Sequence, residues 1–116
     1  MIDLHCHFLP GIDDGPETVD EALALARAAV ADGITHSMLT SHIDPDRYVN
    51  QRSSLEGVFA SFAEQIRAAR IPLELRLGGE ARLCPELMDL IADNQAPFLG
   101  EVDGWRILLL EFPHHL

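Results

Sequence analysis

One arrangement recurs four times along the chain and limits its fold more than any other feature: a short apolar run that gives out at a histidine or a carboxylate. Residues 2–6 run into the His5-Cys6-His7 segment, 34–40 lead to His42, 73–77 pass through Gly78-Gly79 to Glu80, and 107–110 stop at Glu111. Helical patterns separate these runs. Thr18 and Glu21 fit a capping box ahead of an apolar face of Ala22, Leu23, Leu25, Ala26, Ala29 and Val30 that stops at Asp32-Gly33. Ser53 and Glu56 fit a second box, followed by Leu55, Val58, Phe59, Phe62, Ile66 and Ala69 at helical spacing. A shorter helix is expected from Pro85 with Leu87, Leu90 and Ile91, then a loop holding Pro97 and Gly100. Strands alternating with helices predict βαβ units and an α/β fold with a parallel sheet. In such sheets function gathers at the carboxyl ends of the strands, where these residues stand.

The 116 residues suffice for one compact domain and not for two. Eight basic against nineteen acidic residues give a formal charge of −11, which repels a nucleic-acid backbone. No apolar run is long enough for a transmembrane helix, and the opening lacks the basic and apolar regions of a signal peptide, so the expected setting is cytoplasmic. Two cysteines, Cys6 and Cys84, make no disulfide framework and read as reduced thiols.

Side chains two apart on a strand share a face, so His5 and His7 can converge on one ion while Cys6 points away. Paired histidines also occur in cores and on surfaces, and an Asp-Asp-Gly turn is by default solvated. The case for His5, His7 and Asp14 therefore rests on the residues that accompany them. His42 and Glu80 each follow an apolar strand, where packing explains them poorly, and Glu111 would be costly to bury unless a cation neutralised it. His36 lies inside an expected strand and reads as structural. His114-His115 read either as support for the site or as solvent-exposed. The long loop 43–52 carries Arg47 and Tyr48, and Arg47 is the candidate for contact with a phosphate.

Mixed histidine and carboxylate donors suit Mn²⁺, Fe²⁺, Co²⁺ or Zn²⁺, and the lack of cysteine ligands argues against a structural zinc site. A hydrolytic cluster of this kind lowers the pKa of bound water to make a hydroxide nucleophile and clamps phosphoryl oxygens. No protein nucleophile is then required, and no Cys-x₅-Arg loop is present.

The opening Met1-Ile2-Asp3-Leu4-His5-Cys6-His7, with Leu9-Pro10-Gly11-Ile12-Asp13-Asp14-Gly15-Pro16 after it, resembles the start of the polymerase and histidinol phosphatase (PHP) superfamily. Leu39-Thr40-Ser41-His42 with Arg47-Tyr48, then Gly79-Glu80, then Leu109-Leu110-Glu111-Phe112-Pro113 resemble the later motifs of its bacterial tyrosine-protein phosphatase branch from capsule and exopolysaccharide loci. Ser41 stands where many relatives carry proline.

The resemblance implies a distorted (βα)₇ barrel with a trinuclear centre, usually of manganese, that hydrolyses phosphotyrosine on a polysaccharide tyrosine autokinase. It implies that His5, His7 and Glu80 hold one ion, Glu80 and Glu111 a second, and Asp14 and His42 a third. It also implies that residues 1–116 form the amino-terminal part of a single PHP-type metallophosphatase domain. A later histidine ligand, a closing Asp-x-His pair and phosphate-gripping arginines of the family lie beyond the motifs matched here. The expectation for the chain by itself is therefore weak metal binding, little phosphatase activity and self-association. The alternatives are another PHP phosphoesterase, such as a histidinol-phosphate phosphatase, or an inactive metal-binding or regulatory fragment.

Overall fold

A computed structural model describes residues 1–113; His114 and His115 lie outside the described residues. The elements follow in the order β1 (Ile2–Cys6), α1 (Val19–Ala31), β2 (His36–Leu39), β3 (His42–Ile43), α2 (Arg52–Ala68), β4 (Glu74–Leu77), β5 (Glu80–Arg82), α3 (Pro85–Ala92), β6 (Gly100–Val102), β7 (Trp105–Ile107) and β8 (Leu109–Glu111). Strands β1-β2-β4 form one three-stranded sheet and β3-β5-β8 another, with every pairing in both parallel. The expected α/β class with parallel sheets is what the chain adopts.

Two corrections concern where strands stop. His42 and Glu80 do not trail the strands before them; each is the first residue of a new short strand. The ladder is interrupted at Thr40-Ser41 and at Gly78-Gly79, side by side, and resumes beyond. Backbone bonds from Thr40 to Cys6, Gly78 to Leu39 and Glu80 to Ser41 carry the pairing across the interruption. Gly79 is required there because a Cβ would collide with the Pro97 ring. The second correction is near the end of the chain. The expected strand 107–110 is divided, with Ile107 closing an antiparallel β6–β7 hairpin and β8 alone pairing with β5. The hairpin turns on Asp103 and Gly104, both at positive φ, the preference of a two-residue Asp-Gly connection.

The helices begin close to where their signals lie. Thr18 caps α1, its hydroxyl accepting from the Glu21 amide, although Glu21 reaches back to the Glu17 amide rather than to Thr18. For α2 the cap is Gln51, whose amide donates to Ser54 Oγ. Ser53 and Glu56 do not form the expected box, because Glu56 pairs with Arg52 one turn before it. Pro85 opens α3. Ala22, Ala26 and Ala29 of α1, Leu55, Phe62 and Ile66 of α2, and Leu87 of α3 turn inward. All of these but Ala29 belong, with Cys6, Leu9, Leu39, Ile43 and Ala81, to one buried set. The alternation of the strands leaves His7, His42 and Glu80 pointing the other way. Among the described residues no helix is long and apolar enough to cross a membrane.

Candidate metal centre

β1 carries one residue more than β2 between the Asp3↔Ser37 and Cys6↔Leu39 pairs, so the strand bulges at Leu4-His5. Such a bulge re-aims a side chain, and His5 stands half exposed beside the more enclosed His7. Both imidazoles nonetheless reach one oxygen: Glu80 Oε1 lies 2.7 Å from His5 Nε2 and 3.0 Å from His7 Nε2. Glu80 pairs in register with His42, which sets the latter's ring next to it, with Nδ1 3.9 Å from Glu80 Oε1. The same Nδ1 is 3.2 Å from Glu111 Oε2. Asp14 Oδ1 closes the other side, 3.2 Å from His7 Nδ1 and 3.4 Å from His42 Nε2.

All six candidate ligands thus meet in one cluster. They form three overlapping groups, His5-His7-Glu80, His7-Asp14-His42 and His42-Glu80-Glu111, each with its donor atoms within 4.8 Å of one another. The groups share more than the resemblance implied: His7, His42 and Glu80 each belong to two.

The electrostatics of the cluster call for cations. Glu80 is only 9% exposed, and its carboxylate meets histidine side chains alone. Among the described residues no arginine pairs with Glu80, Glu111 or Asp14; the arginine pairs go to Asp44, Glu56, Glu64 and Glu74. A carboxylate withdrawn from water without a counter-charge is expensive, and several at short range repel one another. The donors are imidazole nitrogens and carboxylate oxygens, with the thiol of Cys6 turned to the opposite face. Divalent cations of the Mn²⁺ to Zn²⁺ series fit that set. The hydrogen bond from His7 holds the Asp14 carboxyl below its ordinary value, which keeps it ionised and able to accept a cation.

Arg47 does not touch the cluster directly. Its guanidinium lies 5.2 Å over the Tyr48 ring, and Tyr48 stacks on His42 at 5.3 Å with 16° between planes. His36 is remote from the cluster and exposed, facing Glu74 at 3.0 Å across β2 and β4 rather than serving the core. Sequence reading passed over two groups that hold the site together. The side chain of Asp13, in the loop after β1, is fully buried. Asn50 donates through Nδ2 to the carbonyls of Ile12 at 3.0 Å and His42 at 2.9 Å, fastening that loop to β3. Asp13-Asp14-Gly15 signalled a turn, but which carboxyl turns inward is a tertiary property.

Cys6 lies directly behind the cluster, 8% exposed, its Sγ 3.3 Å from the Met38 carbonyl. Burial first, and the negative charge of Asp3 second, push its thiol up to about 12. At pH 8 its thiolate fraction is then about 10³-fold below that of a free thiol with a pKa of about 8.5. Alkylation by iodoacetamide, followed by mass spectrometry, should spare Cys6 in the folded chain and modify it after denaturation. The sign for stability follows: the unfolded thiol ionises first, so this contribution is intact below about pH 8 and declines as pH rises toward 12.

Comparison with known proteins agrees in extent. The family described as "Capsular polysaccharide synthesis, CpsB/CapC" matches residues 1–115. The tyrosine-protein phosphatase YwqE of Bacillus subtilis is 32% identical over 113 residues, covering 97% of this chain and 43% of its own length. The putative tyrosine-protein phosphatase CapC of Staphylococcus aureus is 28% identical, with the same coverage. A solved structure from work on YwqE of Bacillus subtilis and CpsB of Streptococcus pneumoniae, described as unique metal-dependent tyrosine phosphatases, superposes with a TM-score of 0.83 at 31% identity. It covers 97% of this chain and 44% of the other. The chain spans less than half the length of the curated relatives it matches.

Proposed function

The chain belongs to the capsular polysaccharide synthesis CpsB/CapC family, and on that footing we propose that it forms the amino-terminal part of a metal-dependent protein-tyrosine phosphatase. The observation that carries the proposal is the convergence of His5, His7, Asp14, His42, Glu80 and Glu111 into three groups with shared members. The two sheets, read together across the interruption, run β1, β2 with β3, β4 with β5, then β8. That order supports an arc of a PHP barrel, with residues 1–116 lying within a single domain.

Mn²⁺ is the ion we assign, with Fe²⁺, Co²⁺ and Zn²⁺ as alternatives for the same donors. Bound divalent ions supply Lewis acidity, acidifying water and neutralising the charge on a phosphoryl group. The chain's own residues hold that chemistry in place. Glu80 joins the first and third groups, His42 joins the second and third, and the Tyr48 ring fixes the plane of His42 from outside. Arg47, at the exposed edge of that stack, is the proposed contact for the phosphoryl group or for the peptide around it. The proposed substrate is a phosphotyrosine protein, an autokinase of capsule or exopolysaccharide synthesis, encountered in the cytoplasm, where the two free thiols are at home. Ile2, Leu4 and Phe112 are exposed apolar side chains that support self-association as part of the same reading.

Chelation tests the reading. Hydrolysis of a phosphotyrosine peptide by the whole protein should stop with a chelator and return with added Mn²⁺, and histidinol phosphate should be a poor substrate in the same panel. Turnover that survives chelation would overturn the metal assignment; preference for histidinol phosphate would overturn the substrate assignment.

A further inference from the structure

We propose that Arg82 is a substrate-binding residue that takes the phosphoryl group through its guanidinium, with Asp44 holding that side chain in place; the inference rests on the reading of the cluster as a phosphatase centre. The chain contains no lysine, so the permanent positive charges on its side chains are eight arginines. Arg52, Arg67 and Arg76 pair with glutamates of their own helix or strand, and Arg106 lies over the Phe98 ring. Arg82 is placed differently. It follows Glu80 by two positions on β5, and Ala81 between them is fully buried in the core, so Arg82 and Glu80 share the face that carries the cluster. Its partner in register is Glu111, whose carboxylate reaches His42. The row of Arg82 therefore lies one step beyond the row of His42 and Glu80, about 6.6 Å along the strands, a distance an arginine side chain spans. A phosphoryl group that approaches the cluster from the carboxyl ends of the strands passes this row.

Asp44 mirrors the placement on the neighbouring strand. It follows His42 by two positions, with the buried Ile43 between them. Its Oδ2 lies 3.6 Å from Arg82 Nη1, an ion pair rather than a hydrogen bond. Asp44 itself is firmly held: the Asp46 amide donates to its Oδ1 at 3.1 Å, and its amide and carbonyl bond Tyr48 at 3.1 and 2.8 Å. The Asp44 side chain is 7% exposed and that of Arg82 32%. The carboxylate thus anchors one terminal nitrogen of the guanidinium from the buried side. Among the described residues no hydrogen bond occupies the rest of the fork, which remains available to an incoming acceptor.

Charge gives the pair its purpose. Asp44 alone would add a negative charge beside a cluster already rich in carboxylates, and a phosphate would be repelled. Paired with Arg82 it is neutralised, and the guanidinium presents N–H groups in the planar geometry that fits phosphoryl oxygens two at a time. Arg47, outside the Tyr48 ring, is then left to the peptide around the phosphotyrosine.

Two measurements on the whole protein test the inference. With Mn²⁺ present, Arg82→Gln should raise the inhibition constant of inorganic phosphate and lower kcat/KM for p-nitrophenyl phosphate, each by about 10-fold or more, the loss expected for a hydrogen bond to a charged group. The double variant Asp44→Asn with Arg82→Gln leaves no stranded charge and keeps the Oδ1 acceptor for Asp46, and it should show the same loss. Recovery of wild-type phosphate inhibition in the double variant would mean that Arg82 only neutralises Asp44, and an unchanged inhibition constant in both variants would equally overturn the proposal. The second measurement needs no variant. Phenylglyoxal modification of the Mn²⁺-loaded wild type, read by mass spectrometry, should be slowed at Arg82 by inorganic phosphate and unaffected at the exposed Arg27 of α1. Equal modification of Arg82 with and without phosphate would sink the inference even if Arg82→Gln failed to fold. A wild type that turns over no p-nitrophenyl phosphate would instead count against the phosphatase reading, leaving the protection experiment to judge Arg82.

Discussion

On the proposed function, replacing Glu80 by alanine in the whole protein should lower phosphotyrosine turnover by about 10³-fold or more, at or beyond the upper end of what loss of one stabilising group costs an enzyme. The size follows from sharing. Glu80 Oε1 is within reach of His5, His7 and His42, so its removal takes a donor from two of the three groups at once. Mn²⁺ titration should show both affected groups weakened and the His7-Asp14-His42 group retained. The same substitution should not destabilise the metal-free fold. Glu80 is buried without an arginine, and deleting a poorly compensated carboxylate relieves a desolvation cost. Urea unfolding with a chelator present measures this, and the split between lost activity and preserved stability separates a ligand from a structural residue. A variant with wild-type turnover would show that Glu80 is outside the site.

The largest stability loss is expected for Phe62→Ala. Phe62 is 1% exposed and sits between Leu55 and Ile66 on the buried stripe of α2. Truncating a core phenylalanine removes its transfer energy and leaves a cavity that neighbours fill only in part, about 3–5 kcal/mol in all. Against a typical total of about 5–15 kcal/mol this is a large share, and the melting temperature should fall by roughly 10–20 °C. The effect should be confined to folding. Below the transition the variant should bind Mn²⁺ like the parent, since Phe62 supplies no ligand. Thermal denaturation followed by circular dichroism, with a metal titration at low temperature, checks both parts. A loss below about 1 kcal/mol would mean that α2 packs more loosely than its burial implies.

Both predictions concern features that were legible before the fold was known, and the reason is physical. The stripe on α2 is a local periodicity, written over 17 residues of helix. The six cluster residues were legible because polar side chains at the ends of apolar runs have few packing roles. What escaped was everything set by neighbours in space. β3 has two residues and β5 three, too few for any alternation to show. The bulge at Leu4-His5 exists only relative to β2, so no reading of β1 alone contains it. Asp13 looked like Asp14 because turn chemistry treats them alike; only the His42 amide, 29 positions later, distinguishes them. The β6–β7 hairpin is a different kind of miss. Asp103-Gly104 between Val102 and Trp105 is a local turn signal, masked by the apolar run after it.

The interruption at Thr40-Ser41 and Gly78-Gly79 divides the labour of the sheet. Below it, β1, β2 and β4 are braced by the helices; above it, the short rungs of β3, β5 and β8 carry His42, Glu80 and Glu111. Cations of different radius ask for different spacing between their donors, and a continuous rigid strand would transmit each such adjustment into the core. With only the Thr40–Cys6, Gly78–Leu39 and Glu80–Ser41 backbone bonds bridging the two levels, the short upper rungs are expected to act as an expansion joint, settling around an ion while the foundation keeps its dimensions.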